Sequence, residues 1–287
     1  MRRLDIKPTE IKEALNGKVP PPEHIGQVID EDVVVFVDDK PVLLYLVLPE
    51  SDVRGVREVA TTAKMSKSAR VNGVPTKSCV FGAMPASPSR TSCFCRFSRA
   101  THEQSRYLDR IRAYNKLVNG VYQEHFPDHY QADLKWVEDN VHQDWRWMPG
   151  PYQTFNVNTN FAIPYHTDKG NVNGSLSNVL ILSRGIEGGE LVCPELKITL
   201  SQRDRAFTLF TGGDIVHGVR PIKYRSSKSY RSSMVLYTLK GMRTCSGRDE
   251  ELTKTKAMLT KRAAMTTEER KNKVREMNKG VLKKGSK

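Results

Sequence analysis

From residue 150 to residue 241 the apolar positions recur with the period of an extended chain. Thr154-Phe155-Asn156-Val157-Asn158-Thr159-Asn160-Phe161 alternates polar and apolar side chains, as a half-buried strand does. Further strands are predicted at 178–183, 190–193, 198–200, 206–210, 215–219 and 232–239. Gly170 and Gly174, Gly188-Gly189 and Gly212-Gly213 punctuate them. Many short strands joined by glycine turns predict a closed or sandwiched β structure. Nearer the start, the apolar runs 33–37 and 42–48 flank Asp38-Asp39-Lys40-Pro41 and predict a hairpin.

The remaining pattern is helical or irregular. A short helix is expected at 9–15, stopped by Gly17 and the prolines at 20–22. Ser51 is expected to cap a helix running to about residue 65. Thr101 is expected to cap a long helix in which Leu108, Ile111, Leu117, Val118, Val121 and Tyr122 lie near helical spacing, with a second helix from Asp128 to about residue 140. Residues 66–100, rich in Ser, Lys, Arg, Gly and Pro, read as a basic and largely irregular loop. After 241 two charged helices are expected, at 249–258 and 266–278; Thr266 with Glu269 offers a capping signal for the second. The fold class is α+β. The organisation expected is an N-terminal helix, hairpin and helix (1–65), the loop (66–100), helices and β core (101–241) and a tail (242–287).

Composition narrows the function classes. The 287 residues suffice for one domain with appendages. No apolar run approaches the roughly 18 residues of a membrane helix. The basic start has no apolar segment behind it, so no secretory signal is expected. Five cysteines, odd in number and irregularly spaced, argue for a reducing compartment and against a disulfide framework. An intracellular protein is therefore expected, in a bacterial or phage-infected cell or in a nucleus. Cys93 and Cys95 can clip a metal, but ordinary buried thiols explain them as well.

The net charge of +14 is concentrated at the end, where residues 243–287 carry 14 Lys/Arg against 6 Asp/Glu. Such a surface suits phosphate backbones, although a solvated tail has the same composition. Phe81, Phe94 and Phe97 stand among Lys77, Arg90, Arg96 and Arg99. That mixture suits nucleic acid, where bases stack and phosphates pair; the other reading is a loop that packs its own aromatics on the core.

The candidate chemistry starts at His166-x-Asp168. On a strand, i and i+2 share a face, so imidazole and carboxylate can grip one ion from one side. His217 follows Asp168 by 49 positions. Two His and one carboxylate form the facial triad of non-heme Fe(II) oxygenases, which leaves coordination positions open. Three arginines follow: Arg220, Arg225 and Arg231. Arg231 is preferred as an anion site because the apolar strand 234–239 follows it directly. Ser233 and Tyr237 face as Arg231 does.

His166-x-Asp168, Gly188-Gly189-Glu190-Leu191, Gly213-Asp214, His217 and Arg231-Ser232-Ser233 together resemble the Fe(II)/2-oxoglutarate dioxygenases over residues 150–241. The runs Gly189-Glu190-Leu191-Val192-Cys193-Pro194-Glu195-Leu196 and Phe210 to Pro221 narrow the resemblance to the TET/JBP oxygenase domain. Upstream, Phe81-Gly82-x-x-Pro85 before a long helix resembles that domain's leading half. The resemblance implies a distorted double-stranded β-helix (jelly roll) with flanking helices and, here, a basic helical C-terminal extension. It implies Fe(II) on His166, Asp168 and His217, with O2 and 2-oxoglutarate as co-reactants. Arg231 would then pair with the far carboxylate of 2-oxoglutarate and Ser233 would add a hydroxyl contact.

The implied activity is oxidation of the methyl group of 5-methylcytosine in DNA, by a protein expected to act as a monomer. Thymine hydroxylation, a prolyl-type protein hydroxylase of the same fold, and a non-catalytic DNA-binding jelly roll are the alternatives. A base must leave the duplex to reach such a site. Tyr237 is the candidate to stack on it, Asn171 to bond its edge, and Asn158 and Asn160 to line the site. Two departures from the family pattern stand out. Gly212-Gly213-Asp214 replaces the usual Pro-Gly-Asp, and 198–204, with Gln202-Arg203-Asp204, is more polar than expected.

Overall fold

A computed structural model describes residues 1–10, 15–23, 26–69, 75–86, 94–159 and 162–266, with 268, 269 and 272. Two sheets face each other. The larger runs from edge to edge as β1 (Arg2–Asp5), β3 (Val33–Val37), β4 (Lys40–Val47), β14 (Ala206–Phe210), β10 (Ser177–Arg184), β17 (Tyr230–Tyr237), β8 (Thr154–Thr159), β6 (Pro75–Met84) and β5 (Ser66–Ala69), with β7 (Arg96–Phe97) against β6. The smaller is β2 (Gln27–Ile29), β13 (Ile198–Leu200), β12 (Leu191–Cys193), β15 (His217–Val219) and β9 (Ile163–His166). A separate ribbon pairs β11 (Ile186–Gly188) with β16 (Ile222–Tyr224). From β8 onward the chain crosses between sheets at almost every step: β8 large, β9 small, β10 large, β12 and β13 small, β14 large, β15 small, β17 large. That alternation is the expected double-stranded β-helix.

The period-2 pattern decides which layer each residue joins. On β17, Met234 and Leu236 enter the apolar core between the large sheet and the helices, together with Phe155 and Val157 of β8 and Leu180 and Leu182 of β10. The helices covering that face are α1 (Glu50–Thr62), α3 (Leu108–His125) and α4 (Pro127–Asn140). They supply Val53, Val56, Val59, Ile111, Val118 and Tyr122. A second core fills the space between the sheets with Leu43, Tyr45, Ile181 and Phe210 facing Ile29, Leu191, Ile198 and Leu200. The opposite residues of β17, namely Arg231, Ser233, Val235 and Tyr237, line a cavity instead.

Local chemistry explains the boundaries. The first hairpin closes at Val37↔Lys40 through Asp38 and Asp39, both left-handed at φ 48° and 60°, as a two-residue turn between twisted strands requires. Ser51 does not cap the first helix. The helix starts at Glu50 behind Pro49, whose fixed φ suits a helix entry, and the Ser51 hydroxyl turns to Asp52. Thr101 lies inside the short α2 (Arg99–Glu103), which Ser98 caps. Its hydroxyl instead accepts from the buried amide of Gly82, 2.8 Å away. The Thr266–Glu269 capping box forms, with Thr266 N donating at 2.7 Å. Most of the helix expected at 266–278, and most of the one at 9–15, lies outside the described residues.

Two expectations are corrected. Residues 66–100 are not largely irregular, since β5, β6 and β7 fall within them. Phe81 is in the main core, and Phe97 packs on Trp145 with centroids 5.4 Å apart, so neither is available to stack on bases. Phe94, with Arg96 over its ring at 5.9 Å, keeps the mixed aromatic and cationic character expected there. Nor do all cysteines remain thiols. Cys95 and Cys245 form a disulfide across 150 positions of sequence, within a small core of Ala83, Val137, Val141, Trp145 and Met242. Spacing could not show this pair, because tertiary packing brings it together. Cys79 and Cys193 are buried thiols, and Cys93 lies outside the described residues. Beyond the disulfide, α5 (Arg248–Ala264) is anchored by the buried Glu251, whose carboxylate accepts from Cys95 N at 2.9 Å and Ser246 N at 3.1 Å. Among the described residues no helix is long and apolar enough to cross a membrane.

Behind the large sheet, Tyr122 donates to Asp133 at 2.8 Å and stacks on Tyr152. Burial lifts the Asp133 carboxyl to about 7. A folded pKa above the unfolded value means that the folded state holds the extra proton. Stability is therefore fully present below about pH 4 and is lost as pH rises through 7. Asp133→Asn is expected to flatten this slope and to melt about 4 °C above the parent at pH 8, but not at pH 4. Melting curves at both pH values check it; parallel curves would remove Asp133 from the account.

Candidate active site

The cavity opens between the two sheets and measures about 360 Å³, enough for a small diacid and part of a second ligand. Three elements converge on it. β9 ends on His166, and the turn after it carries Asp168. β15 begins on His217, directly opposite His166 in the antiparallel register. The ring centroids of the two histidines are 4.4 Å apart. His166 Nε2 lies 3.5 Å from Asp168 Oδ1, and His217 Nε2 lies 3.9 Å from Oδ2. One ligand atom from each residue falls within 4.8 Å of the others, so the three can hold a single metal ion.

The donor chemistry fits Fe(II). Each histidine places Nδ1 2.9 Å from a backbone carbonyl two residues earlier, Pro164 for His166 and Ile215 for His217. A carbonyl only accepts, so both Nδ1 atoms carry the proton and both Nε2 lone pairs face the carboxylate. Asp168 is held by its main chain, with N donating to Gly212 O at 2.8 Å and O accepting from Asn171 N. Phe210 stands edge-on to His217, centroids 5.0 Å apart, and fixes that ring from the core side.

Glycine explains the departure at the turn. A Cβ on Gly212 would sit 2.9 Å from Asp168 Oδ2, so the carboxylate occupies space that any side chain would take. Gly212→Ala is expected to weaken metal affinity about 10-fold with little change in melting temperature. Metal titration alongside thermal unfolding tests this, and unchanged affinity would mean that the carboxylate has room elsewhere.

Arg231 lines the same cavity; it is only 3% exposed, and burial pushes its guanidinium down to about 10. Nη2 donates to Gln202 Oε1 at 3.0 Å. Gly189, at φ 77°, packs against the arginine stem where a Cβ would lie 3.2 Å from Cδ and Nε. The competing arginines are engaged outside the cavity. Arg220 pairs with Glu190 at 3.2 Å and donates to Pro21 O, and Arg225 pairs with Glu187 at 3.0 Å on the surface.

The family model for the oxygenase domain of the 2OGFeDO superfamily, Tet_JBP, matches residues 83–240, more than half of the chain. The chain belongs to the TET/JBP oxygenase family. It is an enzyme of the Fe(II)- and 2-oxoglutarate-dependent class, whose co-reactants are Fe(II), 2-oxoglutarate and O2. A bifunctional helicase and thymine dioxygenase JBP2 from Trypanosoma brucei brucei is 27% identical over 133 residues, which is 44% of this chain and 11% of that protein. The chain thus matches about a tenth of that relative's length. The solved structure of NgTET1 in complex with 5mC DNA shares the fold at a TM-score of 0.60 and 15% identity, covering 82% of this chain and 88% of that one.

The other residues singled out in this TET/JBP domain also gather here. Ser233, Tyr237, Asn158 and Asn171 all line the cavity. Asn171 Nδ2 donates to Ser177 Oγ at 3.0 Å, which fixes the orientation of its carboxamide. Asn160 lies outside the described residues. Sequence reasoning passed over Asn156, whose Nδ2 donates to Asn158 Oδ1 at 3.2 Å, and Gln202, noted only for its polarity. For Asn156 a signal existed, since it shares the face of Asn158 two positions on.

Proposed function

We propose that this TET/JBP domain oxidises the 5-methyl group of a pyrimidine in DNA, 5-methylcytosine first, with His166, Asp168 and His217 holding Fe(II) and Arg231 anchoring 2-oxoglutarate. The observation that carries the reading is that one cavity is lined both by three metal-binding side chains and by a buried guanidinium. When bound, iron would use O2 as the oxidant and 2-oxoglutarate as the co-reductant, which together would supply the chemistry that removes hydrogen from the methyl group. The chain's own work is binding, orientation and exclusion of water. Arg231 and Ser233 orient the diacid from its far end, so that its 2-oxo acid end faces the triad. The Nδ1 hydrogen bonds to Pro164 O and Ile215 O orient both rings so that their Nε2 atoms face the carboxylate.

DNA as substrate is supported by the NgTET1 complex, by the JBP2 relative and by the charge of +14. An interior cavity cannot reach a methyl group inside the duplex, so the base must rotate out. Tyr237, the last residue of β17, offers the face to stack on it, with Asn171 next to that end through its bridge to Leu239 and Asn158 farther along, opposite Ser233; exposed Lys169 also lines the cavity. Thymine is the second reading, because the sequence relative is a thymine dioxygenase.

Mass spectrometry of nucleosides from methylated and unmethylated DNA, incubated with the protein, Fe(II) and 2-oxoglutarate, tests both readings. Hydroxymethylcytosine from methylated DNA alone supports the first. Hydroxymethyluracil from either DNA supports the second. Succinate release coupled to neither would remove DNA as substrate.

A further inference from the structure

Gln202 follows β13, is 4% exposed and lines the cavity beside Arg231. Its carboxamide orientation is fixed by its neighbour. A guanidinium has donors only, so the Gln202 carbonyl oxygen must face Arg231 Nη2, as it does at 3.0 Å. The Nε2 end is then directed elsewhere. That amide nitrogen is buried and has no hydrogen-bond partner among the described residues. An amide N–H2 shut away from water without an acceptor is costly, and such groups in native proteins are usually satisfied by something that binds. Arg231 and Ser233 line the same cavity, and the Glu190 carboxylate, which also acts electrostatically on Arg231, is paired with Arg220.

We infer that Gln202 is a further cosubstrate-binding residue: its carbonyl holds the Arg231 fork in plane while its amide nitrogen donates to the distal carboxylate of a 2-oxo dicarboxylic acid. The inference rests on the reading that Arg231 faces that carboxylate. It adds a specificity element, because two donor groups set in one plane match a carboxylate and leave an uncharged tail unsatisfied. The polarity of Gln202-Arg203-Asp204, unexpected for the family, thereby gains a role at its first position.

The test is calorimetric titration of the full chain loaded with Mn(II), using 2-oxoglutarate and, as the uncharged-tail probe, 2-oxopentanoate. The variants are Gln202→Leu, Gln202→Glu and Arg231→Ala. Gln202→Leu is expected to weaken 2-oxoglutarate binding about 10- to 100-fold and to leave 2-oxopentanoate within about 3-fold, so that discrimination collapses. Gln202→Glu keeps the size and polarity of the site and remains readable if the leucine variant unfolds. It places a carboxylate on Arg231 and is expected to weaken 2-oxoglutarate by more than about 100-fold while sparing 2-oxopentanoate. Parent-like 2-oxoglutarate affinity in either glutamine variant, with Arg231→Ala still impaired, overturns the role of Gln202 and leaves the arginine reading intact. Parent-like affinity in Arg231→Ala as well overturns both.

Discussion

Asp168→Ala is expected to abolish 2-oxoglutarate turnover, by at least about 1,000-fold, in a protein that still folds. The carboxylate is the only anionic member of the triad and lies within 4 Å of both Nε2 atoms. Removing it leaves two neutral imidazoles, a donor set too poor in charge to retain Fe(II) against water. The fold should tolerate the change, because the turn is tied through main-chain bonds to Gly212 and Asn171 that alanine keeps. His166→Ala should match it in turnover. Succinate release, metal content and circular dichroism on the same preparations decide the matter. Metal stoichiometry and turnover like the parent's would end the assignment of the triad.

The second large effect is expected at Arg231. Arg231→Ala should raise the 2-oxoglutarate concentration for half-maximal turnover by about 100-fold or more, the scale of a buried charge-assisted pair. Arg231→Lys should recover only part of this, because an ammonium cannot present two parallel donors to one carboxylate. Arg220→Ala and Arg225→Ala should keep the parent's dependence, since those side chains serve Glu190 and Glu187. Turnover measured against cosubstrate concentration separates the three. An unaltered Arg231→Ala curve with a shifted Arg220→Ala curve would transfer the role.

Much of this was legible in the chain because strands write their facing into the sequence. Alternation along 231–237 and 154–159 separates core from cavity residue by residue, and the observed faces follow it. His166 and Asp168 were legible as a closely spaced pair, although Asp168 lies in the turn after β9 and not on the strand the i, i+2 argument assumed; His217 needed the strand crossing to bring it opposite His166. What escaped was set by three-dimensional neighbours. The parallel pairing of β1 with β3 and of β2 with β13 involves short, mostly exposed strands with no periodic signature. Thr101 reads as a cap, but a buried Gly82 amide claims its hydroxyl. Gln202 carries meaning only once Arg231 lies beside it.

The bridge between Cys95 and Cys245 encloses nearly all of the catalytic fold in one covalent ring. A ring of that size restricts the denatured ensemble, which in the chain-entropy model favours the native state by about 5 kcal/mol. Both ends of the ring lie beside the Glu251 carboxylate, so the C-terminal helix is fastened to the same knot. Heat resistance and retention of that helix thus become properties that a thiol reagent can alter while every residue of the iron pocket stays chemically untouched.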